Sequence, residues 1–513
     1  MSDWYESRRI IQRIVVEGQL KLTTPTHLGN GDQGEQVDLP LLRDPLEERP
    51  LLIGTSIAGA LRGYVQARQY GYFEPEQVAN SEDSSTAQQK RTESDRRKQA
   101  SDAARLFGGA KGDAYGDQSP LIIEDALGTL PEYGIEVRDG VRIDGKTRIA
   151  QDKFKFDLEL LPTGTTFALR FELLIGEHDD AVELKQSLAL ALHGLETGAI
   201  TIGARKTRGF GRCDVQEWHV TSYNLRDVRT DLLAWLAADH AEWGFGLPDG
   251  AIQVGKAADV LIALPADTCK RHSFTITADF ALESPLLIRS EDPLLIRAED
   301  PLTNDDNQPD FAHIRDSSGH PIIPGTSLAG ALRARATRIL NTIKPASTRT
   351  IIDSLFGKDM HADPLNPTAS RLLIEEAQID QAQWLVQNRV AIDRFTGGAF
   401  DTALFNEAPV VAGGVRLILT IRDHPKLKPA QREAEKGLLL LLLKDLWTGD
   451  LPLGGTSSVG RGRLRGINAT IEERAGEETQ PWRIEQINAT LAITGDQDRL
   501  NRYVQAIQGG AHD

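Results

Sequence analysis

The sequence is poor in cysteine and in long apolar runs. Only Cys213 and Cys269 occur among 513 residues, which is too few for a four-thiolate zinc site or a disulfide framework. Two thiols fit a reducing, cytoplasmic compartment. The longest apolar run, Leu438 to Leu443, is far shorter than the roughly 20 residues that cross a bilayer. The first residues lack the basic and then apolar pattern of an export signal, so we expect no membrane association and no export.

Positive charge is also in deficit. The chain carries 58 Lys and Arg against 74 Asp and Glu, a formal net charge of −16, and its pI is near 5.3. This balance excludes a protein that attracts polyanions through a uniformly basic surface. At about 150 residues for each domain, the length suits two to four domains.

The chain contains an internal repeat. Residues 51–62 read LLIGTSIAGALR, and residues 322–333 read IIPGTSLAGALR. Four further blocks recur in the same order: Leu106–Gly108 with Leu355–Gly357, Leu121–Ala126 with Leu372–Ala377, Val141–Thr147 with Val390–Thr396, and Gly203–Arg212 with Gly454–Arg463. Such repetition indicates duplicated structural units. The sequence predicts two homologous domains, residues 1–222 and 272–472, with a linker at 223–271 and a C-terminal extension at 473–513.

Each repeat alternates strand and helix patterns. Strands are expected at 14–22 and 164–176 in the first repeat and at 274–281 and 414–422 in the second, and helices at 182–195 and 430–446. A further helix follows each Gly-Thr-Ser block, with Ser56 or Ser327 as its N-cap. This order predicts an α+β fold with a ferredoxin-like core in each repeat. Residues 77–104 are polar and lack aromatic residues, which is typical of a mobile insertion.

Together, these motifs resemble the RAMP superfamily of CRISPR effector proteins. The paired Gly-Thr-Ser, Leu-Phe-Gly and Gly-rich blocks, and the Ile-Asp-Arg-x-Thr-Gly segment that contains Arg394, are most similar to the backbone subunit of type III complexes. Two copies in one chain resemble the double-backbone fusion of type III-D systems. The resemblance implies two RRM-like domains with thumb hairpins near 154–162 and 400–409. It also implies guide RNA, complementary target RNA and other effector subunits as partners.

The same resemblance points to catalytic aspartates. The family pattern of His-x-Gly and then Asp-x-Pro matches His27 to Gly29 and Asp38 to Pro40, which makes Asp38 the candidate of the first repeat. Asp310 keeps the Asp-x5-Asp spacing in the second repeat, although His-x-Gly is missing there. Four neighbouring carboxylates compete with it: Asp292, Asp300, Asp305 and Asp306. A divalent ion, most plausibly Mg²⁺, would assist cleavage. On residue chemistry alone, Asp38 could instead cap a turn before Pro40, and His27 could be an ordinary, partly buried histidine.

Two kinds of block could bind RNA phosphates. The Gly-Thr-Ser helix starts offer backbone amides, but Ala60 and Ala331 stand where a nucleotide-binding phosphate loop needs lysine. The Gly-rich loops have basic neighbours. Glycines that permit close packing, or a solvated charge run, are the alternatives. The predicted RNA-binding residues are His27, Gly54, Thr55, Ser56, Arg62, Arg205, Lys206, Arg208, Arg212, Gly325, Thr326, Ser327, Arg333, Arg394, Arg461 and Arg463.

These observations predict a subunit that binds guide RNA and cleaves target RNA at two sites, one in each repeat, as a metal-dependent endoribonuclease. A non-catalytic scaffold that only holds guide and target is the main alternative, and a guide-processing ribonuclease is a more distant one. The negative charge is then confined to other surfaces, and the basic residues are expected to line one face.

Overall fold

The fold is known from a computed structural model, which describes most of the chain. The described residues are 9–31, 34, 37–74, 101–109, 118–144, 147, 150–226, 231–237, 252–264, 269–290, 309–343, 348–358, 368–476, 478–487 and 490–509. Most of the expected mobile insertion at 77–104 lies outside them. Its last residues belong to a short helix, Asp102–Phe107, whose N-cap Ser101 accepts a hydrogen bond from the backbone N–H of Ala104 at 2.9 Å.

The first repeat is an antiparallel sheet backed by helices. Its strands are β1 (Ile10–Leu22), β2 (Leu51–Leu52), β3 (Leu121–Ile123), β4 (Ala126–Thr129), β7 (Thr166–Gly176) and β8 (Cys213–Asn224), and its helices are α1 (Gly54–Tyr70), α2 (Asp102–Phe107) and α3 (Ala181–Glu196). The central strand β1 pairs with β7 and β8, while β3 and β4 pair with the far side of β7. All these pairs are antiparallel. The strands lie in the order β8, β1, β7 and then β3 and β4, which is the order of a ferredoxin-like fold.

The second repeat has the same order. Its strands are β10 (His272–Leu282), β13 (Ile322–Ile323), β14 (Leu372–Ile374), β15 (Ala377–Trp384), β18 (Val410–Arg422) and β19 (Leu464–Ala475), and its helices are α6 (Gly325–Ile343), α7 (Thr348–Phe356) and α8 (Pro429–Trp447). Here β10 lies between β18 and β19, and β14 and β15 pair with β18. The α+β fold with two ferredoxin-like cores is confirmed.

Alternating burial explains why these strands form. Along β10 every second residue from Phe274 to Leu282 is buried, and the intervening side chains are partly exposed. Apolar side chains repeating with a period of two pack one face of a sheet onto helices. Each repeat has its own buried hydrophobic cluster. The leucine run at 438–443 contributes Leu438, Leu439, Leu442 and Leu443 to the second cluster through α8, so it is a core helix.

A β-hairpin stands beside each sheet. In the first repeat β5 (Glu136–Ile143) pairs with β6 (Ala150–Leu160). In the second, β16 (Gln387–Ile392) pairs with β17 (Ala399–Ala408), and β17 also pairs in parallel with the short β12 (Phe311–His313), which in turn pairs with β11 (Arg289–Ser290). These hairpins coincide with the segments expected to form thumbs.

The linker and the C-terminal extension add to the sheet edges. β9 (Gln253–Gly255) pairs with β8, and β20 (Glu478–Ile487) and β21 (Thr490–Thr494) extend the second sheet from β19. The remaining helices are α4 (Asp231–Ala237), α5 (Ala257–Val260) and α9 (Gln497–Gly509). Of these, α4 and α5 lie within residues 223–271, the segment predicted as a linker. Among the helices described, none is long and apolar enough to cross a membrane.

Candidate nucleic-acid interface

The two candidate catalytic aspartates occupy equivalent places at the bases of the hairpins. Asp38 accepts a hydrogen bond from the backbone N–H of Asp157 at 3.0 Å, and Asp310 accepts one from the backbone N–H of Asn406 at 2.7 Å. Both donors lie on the returning hairpin strand, and both aspartates are exposed. In each repeat the residue after the aspartate bridges in parallel to the residue after the donor. The backbone therefore presents one carboxylate to solvent at the same point of each repeat.

The chain segment that precedes each candidate aspartate makes equivalent backbone hydrogen bonds in the two repeats. Thr26 exchanges backbone hydrogen bonds with Leu161, and Leu286 exchanges them with Val410. The next carbonyl oxygen, of His27 or Leu287, accepts from the Gly-rich loop at Ala204 or Gly455. Position 27 therefore corresponds to position 287, and the missing histidine of the second repeat is replaced by Leu287.

His27 is held rigidly in the first repeat. Its ring is buried, and Nδ1 lies 2.8 Å from the carbonyl oxygen of Glu159. Since a carbonyl can only accept, Nδ1 carries the proton. A Cβ on Gly29 would come within 2.6 Å of Nε2, so the glycine of His-x-Gly leaves room for the imidazole. His27 is held by the carbonyl oxygen of Glu159, and Asp38 is held by the N–H of Asp157. These two residues are two positions apart on β6, a distance of roughly 7 Å.

The second repeat has an imidazole on the neighbouring strand. His313 is buried, its Nδ1 accepts from the backbone N–H of Ile288 at 3.0 Å, and its Nε2 lies 2.9 Å from the carbonyl oxygen of Ile322. Burial lowers the pKa of His313 to about 4, so the ring is neutral. Because it joins Ile288, just before β11, to Ile322 of β13, His313 fixes the strand that follows Asp310. Leu41 occupies the corresponding position in the first repeat.

The Gly-Thr-Ser helices begin one turn earlier than expected. α1 starts at Gly54 after Ile53, and no side chain caps it at the N-cap position. The prediction that Ser56 or Ser327 forms the N-cap is wrong, because both residues lie inside the first helical turn. Instead, the carboxylate of Asp125 accepts from the Gly54 N–H at 2.7 Å. A cap from a distant loop satisfies a free amide as well as a local one.

The glycines of these helices have two different roles. A Cβ at Gly54 would lie 2.4 Å from the carbonyl oxygen of Ile123, and one at Gly325 would lie 2.2 Å from that of Arg208, so these positions need glycine for packing. Gly59 and Gly330 have nothing within 4 Å, yet a mid-helix glycine costs about 1 kcal/mol relative to alanine. Because both glycines are exposed, another molecule can come close to the backbone on these two helix faces.

The face around each open glycine is polar. Thr55 and Ser56 are exposed one turn before Gly59, and Thr326 and Ser327 are exposed one turn before Gly330. Arg62 and Arg333, further along the helices, are half-buried, and Arg333 lies 3.8 Å from Asp353. Hydroxyls next to a glycine can approach a phosphate backbone closely.

The first Gly-rich loop packs against the second repeat. Arg212 pairs with Glu375, and Arg208 lies 3.4 Å from both the Ser370 hydroxyl and the Phe356 carbonyl. Burial, together with the nearby charge of Arg333, lowers the pKa of Arg208 to about 10. Two of the predicted RNA-binding arginines therefore hold the junction between the repeats.

The other basic residues of this loop remain at the surface of the first repeat. The Arg205 guanidinium stacks over the Phe156 ring at 4.6 Å, and burial lowers the pKa of both Arg205 and Lys206. Arg205 is in the left-handed backbone region with φ of 55°. A planar guanidinium that is held on an aromatic ring keeps its edge available to an anion.

The second Gly-rich loop has the same backbone and different side chains. Thr456 repeats the left-handed conformation of Arg205, and Gly460 has open space where Gly209 contacts the other repeat. Arg463 is exposed, whereas Arg461 is buried on the carboxylate of Glu407 at 2.8 Å. Arg461 therefore binds within the protein.

The hairpin turns expose apolar and basic side chains. Asp393 accepts from the backbone N–H of Phe395 and from the Thr396 hydroxyl, which lowers its pKa. Asp144 accepts from both the backbone N–H and the hydroxyl of Thr147. The Asp-x-x-Thr motif is thus a turn-forming element. Phe395 is fully exposed at the tip, and Arg394 beside it is exposed.

The comparisons with known proteins agree with this architecture. The RAMP superfamily matches residues 19–214 and 279–465, one range in each ferredoxin-like unit. The chain belongs to the RAMP superfamily. No curated protein matches it. RAMP proteins bind RNA and assemble in CRISPR complexes, and some members cleave RNA.

Sequence reasoning missed the acidic anchors of both RAMP hairpins. Glu159 accepts from the Leu41 N–H and from Arg43, and Glu407 accepts from three arginines. The available signal was a glutamate as the next-to-last residue of each hairpin strand. The four carboxylates that compete with Asp310 lie outside the described residues.

Proposed function

We propose that this chain is a two-repeat backbone subunit of a type III-like CRISPR effector that binds guide RNA and cleaves complementary target RNA once in each repeat. The observation that carries the proposal is the matched placement of Asp38 and Asp310. Each is an exposed carboxylate held by one backbone N–H at a hairpin base. A duplicated site of this geometry favours two equivalent reactions along one RNA.

The chemistry requires a base and an in-line geometry. One carboxylate oxygen of Asp38 is held by the backbone, and the other can accept the proton of a 2′-hydroxyl. The 2′-oxygen then bonds to phosphorus while the bond to the 5′-oxygen breaks, and the leaving 5′-oxygen takes a proton from water, which gives a 2′,3′-cyclic phosphate and a 5′-hydroxyl. The nucleotide must be turned out of the duplex for this alignment. The exposed hairpin side chains, with Phe395 at the tip of the second, would wedge the duplex open.

The open helix faces supply a track for the guide RNA. Thr55, Ser56 and Gly59 are matched by Thr326, Ser327 and Gly330, all exposed. Backbone amides and hydroxyls near a helix start contact phosphates without reading sequence. This restricted track is compatible with the net charge of −16.

The dependence on a divalent ion stays a prediction. Among the described residues, no group of three or more His, Cys, Asp or Glu side chains could hold a metal ion, so these side chains do not form a resident metal centre, and we assign no step to one. An ion at either site would need RNA oxygens as further ligands. Cleavage measured with EDTA and after re-addition of Mg²⁺ tests this dependence.

The decisive experiment removes each carboxylate in turn. The variants Asp38→Asn, Asp310→Asn and the double variant keep the side-chain shape, and Asp380→Asn is a control at an exposed position of β15. Each single variant should lose one target-RNA product by at least about 100-fold, while guide and target binding are unchanged.

The double variant should bind target without cutting it. Cleavage at both positions by the double variant would refute the catalytic assignment and leave the scaffold as the function. Trimming of precursor guide RNA by the wild-type chain, with no cut in the target, would instead favour guide processing.

A further inference from the structure

Three arginines converge on one buried carboxylate in the second repeat. Glu407 is 1% exposed and lies 3.1 Å from Arg289, 3.0 Å from Arg389 and 2.8 Å from Arg461. The arginines come from β11, β16 and the Gly-rich loop, so three separate segments meet at the base of the hairpin. We call these four residues the arginine cluster.

At the same place in the first repeat, apolar residues replace the four members of the arginine cluster, and the buried Arg138 pairs with Glu136 and Glu376 beside them. The strand pairings that align Asp38 with Asp310 also align Leu158 with Glu407, Gly29 with Arg289 and Gly140 with Arg389. Phe210 takes the place of Arg461 in the Gly-rich loop. Leu158 and Phe210 are buried together in a small hydrophobic cluster. The positions of Glu407 and Arg461 can therefore be filled by apolar side chains on the same backbone.

The arginine cluster carries more positive charge than its carboxylate can neutralise. Among the described residues, three guanidinium groups face this one carboxylate at ion-pair distance, which leaves an excess of two charges. A carboxylate accepts about four hydrogen bonds, whereas each guanidinium offers five N–H donors. Arg461 is buried and also donates to Gln387 at 2.6 Å. The side chains of Arg289 and Arg389 are 44% and 34% exposed, so the excess charge reaches solvent through these two.

The two exposed guanidinium groups are held in place beside Asp310. Arg289 stacks over the Phe311 ring at 4.3 Å, and Phe311 directly follows Asp310. On the other strand, Glu407 directly follows Asn406, whose N–H binds Asp310. The arginine cluster and the aspartate thus share both of their supporting strands. A planar donor fixed by stacking and by an ion pair loses little entropy when it binds an oxyanion.

We propose that Arg289 and Arg389 bind a backbone phosphate of RNA at the hairpin base of the second repeat. The inference rests on the RNA binding in the proposed function and does not require that Asp310 cleaves. The two repeats then hold RNA with different side chains, since Gly29 and Gly140 of the first repeat take the places of Arg289 and Arg389.

The test measures the salt dependence of RNA binding. The full chain is titrated with a guide–target RNA duplex whose 2′-hydroxyls are methylated, so that no cleavage occurs. The variant Arg289→Gln/Arg389→Gln is compared with Arg416→Gln, which removes an exposed arginine paired with Asp279 in the same repeat. The double variant should bind roughly tenfold more weakly. The slope of log affinity against log salt should become shallower by about 0.7 to 0.9 for each phosphate that the variant no longer neutralises.

A second variant separates charge from packing. Arg289→Lys/Arg389→Lys keeps both charges and should retain the wild-type slope, with a partial loss of affinity because lysine cannot form a bidentate contact. If the glutamine variant matches Arg416→Gln in affinity and slope, the arginines are only structural and the proposal fails. If the wild-type chain binds no RNA, the proposed function fails as well. A changed slope together with unaltered cleavage in Asp310→Asn would uphold the phosphate site and refute only the nuclease assignment.

Discussion

The two hairpin bases share one backbone but differ in the side chains at two buried positions. In the first repeat Leu158 and Phe210 are buried in an apolar cluster, and in the second Glu407 and Arg461 are buried as an ion pair. Buried ion pairs often stabilise no more than well-packed apolar residues do, because desolvation offsets their attraction. Backbone hydrogen bonds therefore determine the structure of the hairpin base. Its side chains can then differ between the repeats and serve different functions.

Residues at the junction between the repeats also make different contacts from the residues at equivalent positions away from the junction. Asp125 caps its own helix α1, whereas Glu376, at the matching position, binds Arg138 from the first hairpin. Gly209 touches the backbone of Glu376, but Gly460 faces open space. Equivalent blocks of sequence thus serve as a helix cap in one repeat and as a contact between repeats in the other.

The largest effect is expected from breaking the arginine cluster. Glu407→Leu leaves Arg461 buried without its carboxylate and should lower the free energy of unfolding by about 3–5 kcal/mol. Replacing the whole cluster with the first repeat's residues (Glu407→Leu, Arg461→Phe, Arg389→Gly and Arg289→Gly) should restore most of this loss. Urea denaturation of the full chain measures both. A quadruple variant less stable than Glu407→Leu would contradict the equivalence of the two hairpin bases.

The next effect is a pH dependence carried by His313. Its pKa is about 4 when folded, because of burial, and near 6.5 when unfolded. The folded state therefore favours the neutral ring. Its contribution is complete above about pH 6.5 and is lost as the pH falls toward 4, where the unfolded chain binds the proton more readily. The free energy of unfolding should fall across this window by up to about 3 kcal/mol.

The variant His313→Leu places the residue of the first repeat at this position and should flatten that part of the profile. His193→Leu changes a partly exposed histidine on α3 and should leave the decline in place. An identical decline in wild type and His313→Leu would show that other groups cause it.

The smallest effects concern the helix starts. Asp125→Ala should cost about 1 kcal/mol, because it leaves the Gly54 N–H without its carboxylate. Ser56→Ala and Ser327→Ala should each change stability by less than about 0.5 kcal/mol. Thermal unfolding compares them with Ser101→Ala, which removes an observed cap. A loss at Ser56 as large as at Ser101 would restore serine as the cap.

Much of the fold follows from local sequence patterns. The alternation in β10 and the leucine run of α8 predicted those elements, and the Asp-x5-Asp spacing selected Asp310 as the counterpart of Asp38. These features depend on neighbours in the chain. The roles of Ser56, Arg208 and Arg212 did not follow, because the partners of these residues come from distant segments. Nothing near Ser56 in the chain indicates that Asp125 caps the helix.

By itself, the sequence determined that two related α+β units exist, where the long core strands β1, β7, β10 and β18 and the helices α3 and α8 lie, and which carboxylates precede each Gly-Thr-Ser helix. Periodicity and repetition are local properties, and burying one face of an element needs no knowledge of its partner. Only the tertiary structure decided how each arginine is used. Arg212 binds the other repeat, Arg461 neutralises Glu407, and Arg289 and Arg389 keep exposed edges. Ion pairs depend on which segments meet in space, and that meeting is set by the packing of the whole chain.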